Sequence, residues 1–158
     1  MTTDAWVALL RESVDAFNAY RAAHPEAAVT LFEADLSFLK LPRANFEGAD
    51  LRRCCLERCD LAEARFDEAL MDYANLRSAL LPGATLRRAS LVAVILNGAD
   101  LRDARLDEAK LARASCCDAD LRGASLRGAD LTEADLRWAT YEVSAMADVD
   151  LTGARIRT

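Results

Sequence analysis

The sequence predicts a solenoid, because one five-residue phrase repeats without a slipped residue from Val29 to Thr158. Counting by fives in both directions from Leu101 gives 26 central positions, at residues 31, 36, 41 and onward to 156. Leu occupies 19 of these positions, and Ala occupies 19 of the 26 positions that lie two residues earlier. A period of five matches neither a strand nor an amphipathic helix. We therefore expect a coil with flat sides, in which each pentapeptide forms one side and its central residue points into a shared interior.

The other positions of the phrase fit the same coil. Leu at the centre fills the axis, and the small Ala beside it lets the wall pack closely. All six glycines lie two residues after a central position, which predicts a corner with positive φ there. Asp or Asn often comes directly before the centre, as at Asp50 and Asp100, where a short polar side chain can hydrogen-bond nearby backbone.

Residues 49–53 (ADLRR), 74–78 (ANLRS) and 129–133 (ADLTE) share the pattern A(D/N)LXX. This pattern resembles the pentapeptide-repeat family, and the frame covers about 130 of the 158 residues. The resemblance implies an all-β solenoid, a right-handed quadrilateral parallel β-helix with four pentapeptides per coil. At twenty residues per coil the repeat would form about 6.5 coils, and strands stacked ~4.8 Å apart would make a rod roughly 31 Å long.

The segment that precedes the repeat predicts one amphipathic N-terminal α-helix over residues 4–23. Its apolar residues recur at three- and four-residue steps, and Pro25 ends the helical pattern. Because the open strand edges of a solenoid need a cover, we expect residues 1–28 to cap the β-helix of residues 29–158. The alternative is a helix that binds a partner or a membrane surface. The residues expected to form the cap are Trp6, Leu10, Val14 and Phe17.

Composition and the start of the chain predict a cytoplasmic protein. The formal net charge is −6, and no run of 18 apolar residues could span a membrane. The first residues lack the basic start and apolar core of a signal peptide. We therefore expect neither a membrane association nor an exported location.

The five cysteines do not suggest a disulfide framework, because their number is odd and their spacing is irregular. In the repeat frame Cys54, Cys59 and Cys116 point inward, whereas Cys55 and Cys117 point outward. A zinc site at residues 54–59 is the alternative, but inward and outward side chains do not easily share one ion. We expect reduced thiols.

The sequence also argues against an enzyme. Only one histidine, His24, is present, so neither a Ser-His-Asp nor a Cys-His arrangement fits the chain. There is no phosphate-binding glycine loop and no HExxH motif, and the repeat itself accounts for most Asp positions. We expect no catalytic residues, no metal and no cofactor.

The resemblance also implies a possible partner, since the best-known activity in the family is protection of bacterial type II topoisomerases. Such members mimic duplex DNA and occupy the DNA saddle of gyrase. In this chain the four faces sum to −2, +1, −2 and −1, and every face mixes signs. Six arginines would meet a basic saddle with repulsion: Arg52, Arg53, Arg87, Arg88, Arg105 and Arg127. A gyrase- or topoisomerase IV-binding DNA mimic is therefore the alternative function, and the negative charge argues against direct nucleic-acid binding.

Two sets of apolar residues favour protein–protein contact instead. On a four-sided coil, five outward residues on two neighbouring coils would form one apolar patch, termed the lateral patch. The lateral patch consists of Leu70, Tyr73, Val92, Ala93 and Ile95. The last coil has no predicted lid, and its large apolar residues predict an end-to-end homodimer. This C-terminal end comprises Trp138, Tyr141, Met146 and Ile156. We expect a non-catalytic binding or scaffolding protein.

Overall fold

The structure is a computed structural model that describes residues 1–156, and it begins with two helices rather than one. Helix α1 spans Thr3–Glu12 and helix α2 spans Val14–Ala23. The prediction of a single helix over residues 4–23 is wrong, because Ser13 between them is extended, with φ −165° and ψ 127°. The Ser13 hydroxyl accepts a hydrogen bond from the Ala16 N–H at 3.2 Å and so caps the start of α2.

The rest of the chain forms a parallel β-helix made of single bridges. The residue before each central position pairs with the residue 20 positions later, as Asp100 does with Asp120. The Leu101 N–H donates to the Asp120 carbonyl at 2.8 Å, and the Asp100 N–H donates to the Ala79 carbonyl at 3.0 Å. Four pentapeptides therefore separate stacked residues. The right-handed sense and the total of about 6.5 coils stay predictions.

Each corner from Leu31 to Leu136 is a β-turn that begins at a central residue. The Ala104 N–H donates to the Leu101 carbonyl at 3.1 Å, and this bond closes the turn between them. Gly98 has φ +66°, which confirms the positive φ predicted two residues after a centre. Most corners, however, place a residue other than glycine in this conformation, such as Tyr73 at φ 61°. The left-handed region costs such residues roughly 1–2 kcal/mol, and the hydrogen bonds on both sides of the corner hold them there.

The axis of the coil is the hydrophobic core. Every central residue from Leu31 to Leu136 is at most 3% exposed, and the small residues beside these centres line the same core. Phe46 and Phe66, one coil apart, stack with their ring centroids 5.2 Å apart. The period of five thus places one apolar side chain per pentapeptide on the axis.

The helices close the first end of this core with aromatic side chains. Trp6, Leu10 and Phe17 are buried, and Val14 is half-buried. Trp6 meets Phe17 edge-on at 5.9 Å, and Phe17 lies 5.4 Å from the ring of Phe46. The aromatic stack of the axis therefore continues into the helices.

Two polar side chains of α2 also cover part of the exposed backbone edge, and the sequence did not identify these side chains. The Asn18 side chain accepts a hydrogen bond from the Asn45 N–H at 2.9 Å and donates one to the Arg43 carbonyl at 3.0 Å. Arg21 donates to the Glu47 carbonyl at 2.5 Å. The Asn45 N–H and the Glu47 carbonyl would otherwise face a preceding coil that does not exist, so these side chains replace it.

The opposite end departs from the ladder. Within residues 1–156 the bridge expected between Ser125 and Ala145 is missing, and a 3-10 helix occupies Val143–Met146. The Ala145 N–H donates to the Glu142 carbonyl at 3.0 Å instead of to the coil before it. The ladder resumes at Asp150 and Arg155. The frame is thus continuous in the sequence but interrupted in the structure, and the predicted repeat end at Thr158 lies outside the described residues.

Candidate protein-interaction surfaces

The lateral patch wraps around one corner of the rod on two neighbouring coils. Leu70, Tyr73 and Ile95 are exposed, with Tyr73 at 57%, and Val92 and Ala93 are half-buried. The Tyr73 N–H donates to the Val92 carbonyl at 3.0 Å, so these two corner segments are direct neighbours in the ladder. The structure therefore places the five residues on adjacent parts of one surface.

One carboxylate, that of Asp72, lies among the apolar residues of this patch, and it is hydrogen-bonded to the next coil. The Asp72 carboxylate accepts hydrogen bonds from the Ser90 hydroxyl at 2.6 Å and from the Val92 N–H at 2.9 Å. These bonds hold it against the next coil, so that it ties together the two coils that carry the patch.

The C-terminal end is the second apolar surface. Trp138 is 55% exposed beneath the Arg137 guanidinium, whose carbon lies 5.3 Å from the centroid of the indole ring. Tyr141 and Met146 are half-buried, and Ile156 is exposed. Tyr141, Met146 and Ile156, which the repeat frame places on the axis, are thus more exposed than the central residues of earlier coils. Val143 in the 3-10 helix is 83% exposed, although it was not among the predicted site residues.

Many surface charges are neutralised within single pentapeptides. In the phrase Asp-Leu-Arg, the arginine follows the aspartate by two residues, and its guanidinium donates to the aspartate carboxylate. Arg52 Nε and Nη2 donate to the two carboxylate oxygens of Asp50 at 2.8 and 2.7 Å. These hydrogen bonds lower the pKa of the Asp50 carboxyl. The same pairing occurs in three further phrases: Asp100 with Arg102, Asp120 with Arg122, and Asp135 with Arg137.

Ion pairs also change the interpretation of the six arginines that were expected to oppose a basic partner. Four of them are paired with carboxylates and so present little free positive charge. These pairs are Arg52 with Asp50, Arg53 with Glu33, Arg87 with Asp67, and Arg88 with Glu108.

A groove of about 390 Å³ runs along one corner of the rod and is lined mainly by carboxylates, and we term it the acidic groove. Two of the paired arginines also line it. Its residues are Glu47, Asp67, Glu68, Arg87, Arg88, Asp107 and Glu108. Five carboxylates and two arginines thus line the groove, although the whole face to which it belongs sums to only −1.

The cysteine side chains follow the repeat frame. Cys54, Cys59 and Cys116 are buried, and Cys55 and Cys117 are half-buried. The Cys59 thiol donates to the Leu36 carbonyl at 2.9 Å, and burial raises its pKa to about 11. A thiol with so high a pKa is a poor nucleophile at neutral pH.

A sequence profile of pentapeptide repeats, with 8 copies, matches residues 31–68, 69–107 and 99–137. The chain belongs to the pentapeptide repeat family. The comparison with curated protein sequences gives no match.

Solved structures of other pentapeptide repeat proteins are similar to this one. A protein from the Arabidopsis thaliana thylakoid lumen is 26% identical over 67% of this chain and 70% of its own, with a TM-score of 0.41. Rfr23 from the cyanobacterium Cyanothece is 22% identical over 89% and 94%, with a TM-score of 0.34. QnrB1, a plasmid-mediated fluoroquinolone resistance protein, is 17% identical over 83% and 91%, with a TM-score of 0.39.

In this pentapeptide repeat protein, residues 1–156 contain no group of three or more His, Cys, Asp or Glu side chains that could hold a metal ion. Within the same residues, no helix has the length and apolar character needed to cross a membrane. The candidate surfaces described above are the lateral patch, the C-terminal end and the acidic groove.

Proposed function

We propose that this pentapeptide repeat protein is a non-catalytic binding or scaffolding solenoid that docks a partner protein on its lateral patch. The observation that carries the proposal is the adjacency of Leu70, Tyr73 and Ile95, exposed at positions that the repeat usually gives to polar residues. Contiguous apolar surface of this kind is typical of a contact site, and aromatic residues such as Tyr are enriched in interfaces.

Two further features support this proposal. Pentapeptide repeat proteins are generally non-enzymatic repeat proteins. The five thiols in the described residues are unpaired, which fits the reducing cytoplasm that we propose as the compartment.

A photo-crosslinking amino acid in place of Tyr73 tests the docking site in the protein's native cells. We expect discrete protein adducts at this position, because its side chain stands at the centre of the patch. The same amino acid in place of Arg43, an exposed corner residue away from the patch, is the matched control. Adducts at Tyr73 should disappear when Ile95→Glu is added, and an absence of adducts at Tyr73 would contradict the docking proposal.

We also propose that the C-terminal end forms an end-to-end homodimer. The N-terminal edge is covered by helices and by the Asn18 amide, whereas Trp138, Val143 and Ile156 expose apolar surface at the other end. A twofold axis at this end would continue the stacking of coils and cover both edges.

Light scattering at tens of micromolar protein tests the dimer. We expect wild-type protein to be a dimer and Trp138→Glu/Tyr141→Glu to be a monomer, because the added charges would be buried in the contact. Tyr73→Glu/Ile95→Glu is the matched control and should remain dimeric. A monomeric wild type would refute the dimer, and a dimer lost only in the control would move the contact to the lateral patch.

The second candidate function is a DNA-mimicking binder of DNA gyrase or topoisomerase IV that confers resistance to quinolones or gyrase poisons. The acidic groove favours it, because carboxylates outnumber arginines five to two in its lining. Against it, the remaining surface mixes both signs, which weakens attraction to a basic saddle.

A supercoiling assay separates the two functions. We expect micromolar protein to leave DNA supercoiling by gyrase unchanged, with and without a quinolone, because the mixed charges give weak electrostatic steering. The variant Arg87→Ala/Arg88→Ala, which makes the groove more acidic, is the informative comparison. Inhibition or quinolone rescue by wild type, strengthened in this variant, would favour the topoisomerase-directed function.

A further inference from the structure

The interruption of the ladder near the C-terminal end has a cause in the sequence. Val143 lies two residues after a central position, which is the corner position of the repeat. The corner residues from Glu33 to Trp138 all have positive φ, and none of them is β-branched. Valine is strongly disfavoured in that conformation, because its branched Cβ crowds the backbone. Val143 instead begins a 3-10 helix, so the chain leaves the path of the coil at this residue.

The segment that leaves the coil, residues 142–148, forms an arch that stays attached at both ends. At its start, the Gly123 N–H donates to the side-chain carboxylate of Glu142 at 2.9 Å. At its end, the Gly128 N–H donates to the Asp148 carbonyl at 3.2 Å, one residue beyond the carbonyl that the regular spacing would supply. The arch is therefore held at two neighbouring corners, and the bridge between them is missing.

Two backbone groups beneath the arch lack the partners that the repeat supplies elsewhere. One coil earlier on the same face, the Ser125 N–H donates to the Ala104 carbonyl at 2.9 Å, and the Leu106 N–H donates to the Ser125 carbonyl at 2.7 Å. The Ala124 carbonyl and the Leu126 N–H are the equivalent groups on the next edge. In the described part of the chain, neither forms a hydrogen bond with another protein group. Because backbone groups of a packed coil are normally paired, these two can bind an added chain.

A cavity of about 430 Å³ lies between the arch and the coil beneath it, and we term it the slot. Its volume is that of an ordinary ligand site. Ser125 and Arg127 in its wall are exposed, so the slot is open to solvent. The lining consists of residues 123–127 from the coil, and Glu142, Ser144, Ala145 and Asp148 from the arch.

We infer that the slot binds an extended segment of a partner protein, which adds to the coil as one further strand. A residue placed beside Ser125 would donate to the Ala124 carbonyl and accept from the Leu126 N–H, so that the segment continues the ladder of the preceding coils. Those coils also indicate the side chains that fit, namely a small, a polar and an apolar residue in succession. The inference goes beyond the proposed docking function, because it concerns a different surface.

The arch itself is the competing occupant of the slot. Its closure onto the coil would pair Ala145 with Ser125, as the repeat frame requires, but would also force Val143 into the corner conformation with positive φ. A separate segment carries no valine at that corner and can form the same two hydrogen bonds without this strain. Val143 therefore keeps the slot open for a partner.

A peptide with the side-chain pattern of the coils tests the inference. The probe is the blocked hexapeptide Gly-Ala-Ser-Leu-Arg-Gly, which copies residues 123–128 of this chain. In nuclear magnetic resonance titrations of isotope-labelled full-length protein, we expect the largest shift at the Leu126 amide. The same peptide with N-methylserine lacks the N–H that would bond to the Ala124 carbonyl, and it should bind about tenfold more weakly or worse.

Variants of Val143 test what keeps the slot open. Glycine adopts positive φ readily, so in Val143→Gly the arch should close and the peptide should bind about tenfold more weakly or worse. Val143→Thr is the matched control, because it keeps the branched Cβ and removes the apolar surface, and it should bind like wild type. Without peptide, the Leu126 amide should exchange hydrogen faster than the Leu106 amide in wild type, and this difference should shrink in Val143→Gly.

Several results would overturn the inference. The absence of a shift at the Leu126 amide with millimolar peptide would do so, and so would equal binding of the N-methylated peptide or unchanged binding in Val143→Gly. Shifts centred on the Leu151 amide would place the added strand at the open end of the rod instead. Equal protection of the Leu126 and Leu106 amides in wild type would mean that the ladder is continuous. None of these results affects docking on the lateral patch, which the crosslinking experiment tests separately.

Discussion

The substitution Leu101→Asp is expected to prevent folding. Leu101 is 1% exposed on the axis of the coil, and the void bounded by it and seven other central residues between 96 and 131 measures only about 10 Å³. This space is too small to hydrate a carboxylate, and no cation lines it. An unpaired buried charge costs several kcal/mol, comparable to the roughly 5–15 kcal/mol that stabilises a whole domain. Circular dichroism and a thermal melt measure the result.

Two further variants separate the effect of the charge from other effects. Leu101→Ala leaves a cavity without a charge and should cost about 2–5 kcal/mol while the protein still folds. Leu70→Asp makes the same chemical change at an exposed bridge residue and should lower stability by about 1 kcal/mol or less. A cooperative melt of Leu101→Asp at the wild-type temperature would show that residue 101 is not on the axis.

The repeating part of the fold was predictable because every coil imposes the same local requirement. Gly98 marks a corner with positive φ, and Leu101 marks a side chain on the axis, so a pattern of five residues specifies both. The lateral patch was predictable for the same reason. Once four pentapeptides make a coil, Tyr73 and Ala93 must be neighbours, whatever their side chains.

The ends of the rod were less predictable, because there the repeat no longer determines the contacts. The apolar spacing of Leu10, Val14 and Phe17 continues across Ser13, so periodicity does not reveal that Ser13 is extended and divides the helix. Asn18 looks like a solvated helix residue in the sequence, yet it satisfies backbone at the edge of the first coil. Such roles depend on which backbone groups lack partners, and the repeat pattern carries no information about them.

The sequence alone also predicts poorly which surface arginines carry a free charge. The sum of charges on each face treats Arg52 as a free cation, but its position two residues after Asp50 lets both flank the same buried Leu and pair directly. Arg113 has no such aspartate two residues before it and remains unpaired in the described chain. The spacing of Asp and Arg within a pentapeptide therefore identifies one class of paired arginines, whereas Arg53, Arg87 and Arg88 pair with carboxylates of neighbouring coils, which the phrase itself does not reveal.

The substitution Phe17→Ala is expected to detach the helical cap and expose the first coil. Phe17 is buried between Trp6 and Phe46, and its removal breaks the aromatic stack that joins the helices to the axis. Loss of a buried Phe costs roughly 3–5 kcal/mol. Phe32→Ala, which removes a partly exposed aromatic residue from the first coil of the β-helix, is the matched control and should lower stability by about 1 kcal/mol or less.

Hydrogen exchange distinguishes loss of the cap from general destabilisation. The Cys55 N–H, which donates to the Ala34 carbonyl of the first coil, should lose protection in Phe17→Ala. The Asp120 N–H, bonded to the Ala99 carbonyl several coils away, should lose less, because each coil of a solenoid contacts only its neighbours. Equal loss at both amides would mean that the rod unfolds as one cooperative unit. Unchanged exchange at Cys55 would mean that the helices do not stabilise the first coil.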